Sequence, residues 1–137
     1  MKQKKRIFLS LGLLFGLLFA MSVNSYAGYV DFDVTVASSG NHPDPLSPRM
    51  IKEDYENRFY VTPTWFSNSG EILGFSRTID KTRTSYAAIM RSNALNVRVY
   101  NPYLGNSAPC GQACCLETYW GSSATTNTLN VIGRYTP

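Results

Sequence analysis

Residues 29–36, Tyr29-Val30-Asp31-Phe32-Asp33-Val34-Thr35-Val36, alternate polar and apolar side chains without a break. Successive residues of an extended chain point to opposite faces. Val30, Phe32, Val34 and Val36 therefore share one face, and Tyr29, Asp31, Asp33 and Thr35 share the other. The stretch reads as a half-buried strand with a polar outer surface, and the same period recurs along the chain.

Residues 37–48 gather Gly40, Pro43, Pro45 and Pro48 among small polar residues and read as a loop. Ser47 and Pro48 have the chemistry of an N-cap and a first helical position, so a short helix over 48–56 is expected. Strand signals return at Arg58-Phe59-Tyr60-Val61-Thr62 and continue to Trp65-Phe66, with Pro63 marking an edge or a bulge. Ser67-Asn68-Ser69-Gly70 is a turn and 71–79 a further strand, so the pair reads as a hairpin. Further strands are expected over 85–90, 95–100, 116–120 and 128–135, with 101–109 a turn-rich loop. About seven short strands separated by turn chemistry, with no βαβ spacing, fixed-period repeat or heptad, define an all-β chain. An antiparallel β-sandwich is the expected architecture.

Upstream of this region, residues 1–27 read as a secretory signal peptide. Lys2, Lys4, Lys5 and Arg6 precede an apolar run from Ile7 to Met21, and Ser25 and Ala27 put small side chains at the −3 and −1 positions of a cleavage site. The run is shorter than the roughly 20 apolar residues of a spanning helix. No cysteine follows it closely for lipid attachment. The expected mature chain is one all-β domain, residues 28–137, exported to the extracellular space and not spanning the membrane.

Of 13 basic residues, four lie in the leader, which leaves nine against nine acidic ones in residues 28–137. The formal charge of +4 thus belongs to the leader, and a counterion-releasing basic surface for nucleic acid is not expected. With one histidine, no Gly-Lys-Ser/Thr phosphate loop, no Gly-x-Ser-x-Gly elbow and no His-Glu-x-x-His, the chain offers no catalytic set. No catalytic residue, cofactor or metal is expected.

All three cysteines fall within six positions, Cys110-Gly111-Gln112-Ala113-Cys114-Cys115. In an oxidising compartment Cys110 is expected to close a small loop onto Cys114 or Cys115. A bridge between the two neighbours needs strained geometry. The odd thiol stays free, links a second chain into a disulfide-bonded dimer, or binds something. Zinc needs four ligands, and His42 is the one histidine available as the fourth; a local disulfide is the preferred reading. His42 itself, in a proline-rich loop, reads as a solvated surface residue rather than half of a Cys–His pair.

Asp31 and Asp33 share a strand face, which suits calcium or acid–base chemistry, but a solvated edge that discourages foreign pairing is the preferred reading. Glu53, Asp54 and Glu56, flanked by Lys52 and Arg58, read as a balanced exposed segment. Residues 28–137 keep eight Tyr, four Phe and two Trp. Some must fill the core. Tyr60, Trp65 and Trp120 are the candidates for an exposed binding face that stacks on sugars or meets a protein. Arg77, Lys81, Arg83, Arg91 and Arg98 concentrate in the middle of the chain, a stripe that an anionic cell-surface polymer would suit; Arg98 between Val97 and Val99 has the alternation of an outward strand charge.

The leader followed by Tyr29-Val30-Asp31-Phe32-Asp33-Val34, the Tyr60-Val61-Thr62 strand and the closing Gly133-Arg134-Tyr135-Thr136-Pro137 resemble a family of small exported Gram-positive bacterial proteins with a domain of unknown function. That resemblance implies a Gly-Arg-aromatic-Ser/Thr-Pro ending and supplies no catalytic residues; the cysteine cluster departs from it. In leader, strand content and size the chain is also similar to the lactococcin 972-type bacteriocins, a likeness of architecture. Together these readings lead to a secreted, non-enzymatic protein that binds a cell-envelope component or another protein, with antagonism between bacteria as one mode. A non-toxic structural or surface-interaction protein is the alternative, and a small hydrolase the third.

Overall fold

Strand β1 (Val30–Ala37) carries the alternation of residues 29–36 into three dimensions: Phe32, Val34 and Val36 are buried, while Asp31, Asp33 and Thr35 face outward. The computed structural model describes residues 28–38, 46–80, 84–105, 107–121 and 126–137. Seven further strands follow among these residues: β2 (Met50–Ile51), β3 (Arg58–Phe66), β4 (Glu71–Thr78), β5 (Ala88–Arg91), β6 (Val99–Pro102), β7 (Ala113–Trp120) and β8 (Thr128–Thr136). They form two four-stranded antiparallel sheets, the first in the order β1-β8-β3-β6 and the second in the order β2-β7-β4-β5. No helix occurs among the described residues.

The core lies between the sheets. Phe32, Val34, Phe59, Val61, Phe66, Leu129, Val131 and Tyr135 come from the first sheet, and Ile72, Met90, Cys114 and Leu116 from the second. Burying an apolar side chain of this size contributes about 1.5–3 kcal/mol before chain entropy is subtracted. Phe59 packs between Tyr103 and Tyr135, with ring centroids 6.0 and 6.3 Å away. Gly133 permits the central β8–β3 contact, because a Cβ there would stand 2.6 Å from the carbonyl oxygen of Thr62 and 2.7 Å from the Phe32 ring.

A β-bulge falls in β3. Pro63 is opposite Gly133 and Trp65 opposite Ile132, so Thr64 is the extra residue. Without it, Trp65 would continue the inward set of Phe59, Val61 and Pro63. The bulge instead turns Trp65 outward, and Phe66 takes the buried position. Strand β6 ends opposite Val61, so Pro63 lies where β3 has no strand on that side, and its carbonyl accepts from the Asn96 N–H at 2.7 Å. The bulge alternative for Pro63 is thus the one realised; β3 is an interior strand, not an edge.

Three expectations of local structure are corrected. The short helix over 48–56 is not formed; residues 46–52 run beside β7 instead. The Leu116 N–H donates to Ser47 Oγ at 2.8 Å, which commits the expected capping hydroxyl to a strand contact. Residues 58–66 and 71–78 do not pair as a hairpin but lie in opposite sheets. The turn between them is the crossing: the Ser67 N–H donates to Asn130 O in the first sheet, and Gly70 exchanges bonds with Ser92 beside the second. Period-two patterning is satisfied equally by two strands side by side and by two strands face to face, so it does not separate these outcomes. The strand expected over 95–100 begins only at Val99 and continues through Asn101 and Pro102, at the start of the expected loop; Asn96 has φ 61° in the preceding turn.

Candidate functional site

The outer face of the first sheet collects exposed rings and guanidinium groups. Tyr60 on β3 is directly opposite Tyr100 on β6, with ring centroids 6.0 Å apart. The guanidinium carbon of Arg98 lies over the Tyr60 ring, 3.6 Å from its centroid, and that of Arg58 lies 5.2 Å from the Tyr100 centroid. In the next row Thr62, Arg134 and Asp31 are in register, and Arg134 is 4.9 Å from the Tyr29 centroid. The row beyond places Trp65 against Ile132 and Asp33, and both apolar side chains are exposed. Attraction between a cation and the electron-rich face of a ring holds these arginines in place without occupying their N–H edges.

The Tyr60 hydroxyl donates to Glu56 Oε2 at 2.5 Å. Partial burial raises the Tyr60 phenol above its ordinary value of 10.0, and the Glu56 hydrogen bond and charge add to the rise. Arg58 stands 4.0 Å from Glu56, and among the described residues Arg98 meets no carboxylate. A hollow of about 400 Å³ beside this cluster is lined by Asn57, Arg58, Tyr100 and Pro102. A second hollow of about 300 Å³ is lined by Tyr55, Glu56, Asn57, Ala108, Pro109 and Cys110. The two have Asn57 in common, and Tyr55, 91% exposed, borders the second.

On the β1 side of the same face the carboxylates have partners. Asp31 lies 3.8 Å from Arg134, and Asp33 accepts from Asn130 Nδ2 at 2.7 Å. The face is therefore polarised, with Arg58 and Arg98 over β3 and β6 and the two aspartates over β1. Among the described residues no group of three or more His, Cys, Asp or Glu side chains is placed to hold a metal ion.

Of the aromatic residues singled out from the sequence, Tyr60 and Trp65 lie together on this face. Trp120 does not join them: it is on β7 of the second sheet, half-buried and packed against the core. Arg98 is the outward charge that strand alternation picked out, while Tyr100 and Arg58 are members it did not. Their signal is the arginine placed before or after a tyrosine-bearing strand, and it becomes visible only when β3 and β6 are aligned. Arg77 sits on the second sheet and pairs with Glu117, and Arg91 pairs with Glu71 at 2.6 Å. His42, Lys81 and Arg83 lie outside the described residues.

The cysteines lie in two different settings. Cys110 is partly exposed in the turn 109–112, where Gly111 has φ 87° and the Gln112 N–H bonds back to Pro109 O at 3.1 Å. Cys114 and Cys115 are neighbours in β7 and so point to opposite faces, Cys114 into the core and Cys115 beside Arg77. All three thiols are free, so the expected local disulfide is not present here; two of its three positions belong to a strand rather than a loop. Burial raises both inner thiols above their ordinary value of 9.0.

The densest polar cluster is enclosed between the sheets. Ser76 Oγ is 2.6 Å from the Tyr135 hydroxyl and donates to the Tyr103 hydroxyl at 3.3 Å. Lys52, 1% exposed, pairs with Asp54 and lies 5.5 Å from the Tyr103 ring centroid. Burial pushes both phenols well above 10.0. Ser76 belongs to β4 and Tyr135 to β8, so this chain of hydroxyls ties one sheet to the other, and neither hollow at Asn57 reaches it.

Fold and face together define an all-β sandwich with an arginine-bearing aromatic sheet surface. No family model, no curated protein and no solved structure matches the chain.

Proposed function

We propose that this chain is a small secreted, non-enzymatic bacterial protein that acts by binding at the cell envelope, through the outer face of its first sheet. The single observation that carries the reading is the Tyr60–Tyr100 pair on adjacent strands with Arg98 and Arg58 against the two rings, and the exposed Trp65 lies two rows further along the same face. Exposed rings on a rigid sheet offer large contact area at little cost in side-chain entropy. The enclosure of Ser76, Tyr103 and Tyr135 in the core favours binding over catalysis, since a reacting group needs access to its substrate. Export rests on the leader in residues 1–27, which lie outside the described residues. The resemblance to lactococcin 972-type bacteriocins in leader, strand content and size, one of architecture, motivates antagonism between bacteria as the consequence of binding; a surface-interaction protein without toxicity is the alternative.

The test uses the protein exported by a bacterial host and isolated Gram-positive cell walls. Sedimentation with walls, reduced at least tenfold in a Trp65→Ala, Tyr100→Ala double variant that keeps its far-ultraviolet spectrum, is the expected result. Equal sedimentation of variant and parent overturns the assignment to this face. Growth inhibition of related strains separates the antagonist from the non-toxic protein. Retention of Met1 in the exported protein, read by intact mass, overturns leader cleavage.

A further inference from the structure

We infer that the ligand of this face is an anionic polysaccharide, its acidic groups bound by Arg98 and Arg58 and its sugar rings resting on the exposed Tyr100 and Trp65. The inference rests on the binding reading above and names the class of ligand.

The first argument concerns what the arginines do. An arginine that serves only to balance charge is expected against a carboxylate, as Arg91 is against Glu71. The guanidinium carbon of Arg98 instead lies 3.6 Å from the Tyr60 ring centroid, and among the described residues it has no carboxylate partner. A stacked guanidinium keeps its planar fork of N–H donors directed outward, which fits the two oxygens of a carboxylate or sulfate. Arg58 repeats the arrangement on Tyr100, with Glu56 only at 4.0 Å.

The second argument concerns shape and charge together. Tyr60 and Tyr100 form a ring pair on adjacent strands, and an open hollow at Asn57, Arg58 and Pro102 lies beside Tyr100. A polymer can extend across such an open face, whereas a small ligand would leave much of its surface in water. Asp31 and Asp33 disfavour a polyanion on the β1 side, whereas on the β3–β6 side Glu56 accepts from the Tyr60 hydroxyl and faces two guanidinium groups, Arg58 and Arg98. A guanidinium bonds a carboxylate or sulfate about twice as strongly as a neutral hydroxyl, which favours an acidic glycan over a neutral one, and the nine-to-nine balance of residues 28–137 lacks the broad positive field on which nucleic-acid binding relies.

The experiment is affinity electrophoresis of the exported protein in gels containing polygalacturonate, dextran sulfate or neutral dextran, with a single-stranded oligothymidylate measured in parallel. Retardation by both anionic polymers and not by dextran is expected. Arg98→Gln should weaken that retardation roughly tenfold, the effect of losing one charge-assisted contact, and Arg91→Gln should leave it unchanged. Arg98 is exposed, so the variant is expected to melt with the parent. Equal retardation by dextran, stronger binding of the oligothymidylate, or an Arg98→Gln variant that binds like the parent overturns the inference. If no polymer retards the protein while wall sedimentation persists, the anionic class falls and the binding face stands. If both are lost, the binding face falls as well.

Discussion

Arg98 stands over the ring of Tyr60 with its guanidinium carbon 3.6 Å from the centroid, and the same phenol donates to Glu56 at 2.5 Å. One side chain therefore places a cation on the face of the sheet and fastens the segment before β3. These two duties separate by substitution. Tyr60→Phe keeps the ring and loses the hydroxyl, so it should retain wall sedimentation with a loss of stability near 1 kcal/mol. Tyr60→Ala removes the platform and should lose sedimentation. Urea unfolding beside the sedimentation assay checks both, and equal sedimentation of the two variants would contradict the role of the ring.

Gly133→Ala tests the close approach of β8 to β3 and β1. A Cβ at this position meets a backbone oxygen at 2.6 Å and the Phe32 ring at 2.7 Å, and the backbone partner cannot swing away. Overpacking of this kind costs about 1–3 kcal/mol. The urea midpoint should fall with an unchanged m-value.

Lys52 and Asp54 predict an asymmetry. Lys52 is 1% exposed, whereas the Asp54 side chain retains 14%. Asp54→Asn leaves a buried ammonium without its counter-charge and should cost about 3 kcal/mol. Lys52→Met fills the same space with an apolar chain and lets Asp54 hydrate, so its cost should be smaller. Thermal melts of the two variants at neutral pH decide the order.

Alkaline pH should destabilise the fold. Tyr103, Tyr135, Cys114 and Cys115 all have pKa values raised in the folded state, chiefly by burial. Their protons are released more readily by the unfolded chain, so stability is intact below the ordinary values of 9.0 for the thiols and 10.0 for the phenols, and falls as pH rises beyond them. Melting temperature should be level from pH 7 to about pH 9 and then decline. Tyr135→Phe should flatten the decline, at the cost of a lower plateau from loss of the Ser76 bond.

The cysteines should react in two classes. A bulky maleimide should modify Cys110 in the native protein, while Cys114 and Cys115 react only on unfolding. Mass after native labelling should show one adduct, and after denaturation three. Two fewer adducts on denaturation would mean that the exported protein carries the local disulfide. A mass that doubles without reductant would assign Cys110 to a linked dimer.

Much of this architecture was legible in the chain because period-two patterning reports directly on which side chains leave water. Residues 29–36 and 128–135 became β1 and β8 almost residue for residue. Tyr60 and Trp65 were both found as outward aromatics, although Trp65 reaches the outer face only through the extra residue Thr64. Trp120 carried the same signal and went to the inner side of β7. Alternation specifies that a strand has two faces without specifying which of them a neighbour will cover.

The sequence by itself determined the all-β class and the inward set of β1, because both depend on residues within a few positions of one another, and composition alone fixed the charge count of residues 28–137. Tertiary structure alone decided that β3 and β4 lie in opposite sheets, that residues 46–52 run beside β7, and that Arg98 rests on Tyr60. Those outcomes depend on which strands become neighbours, which is set by the packing of the whole core and by hydrogen bonds between residues far apart in the chain.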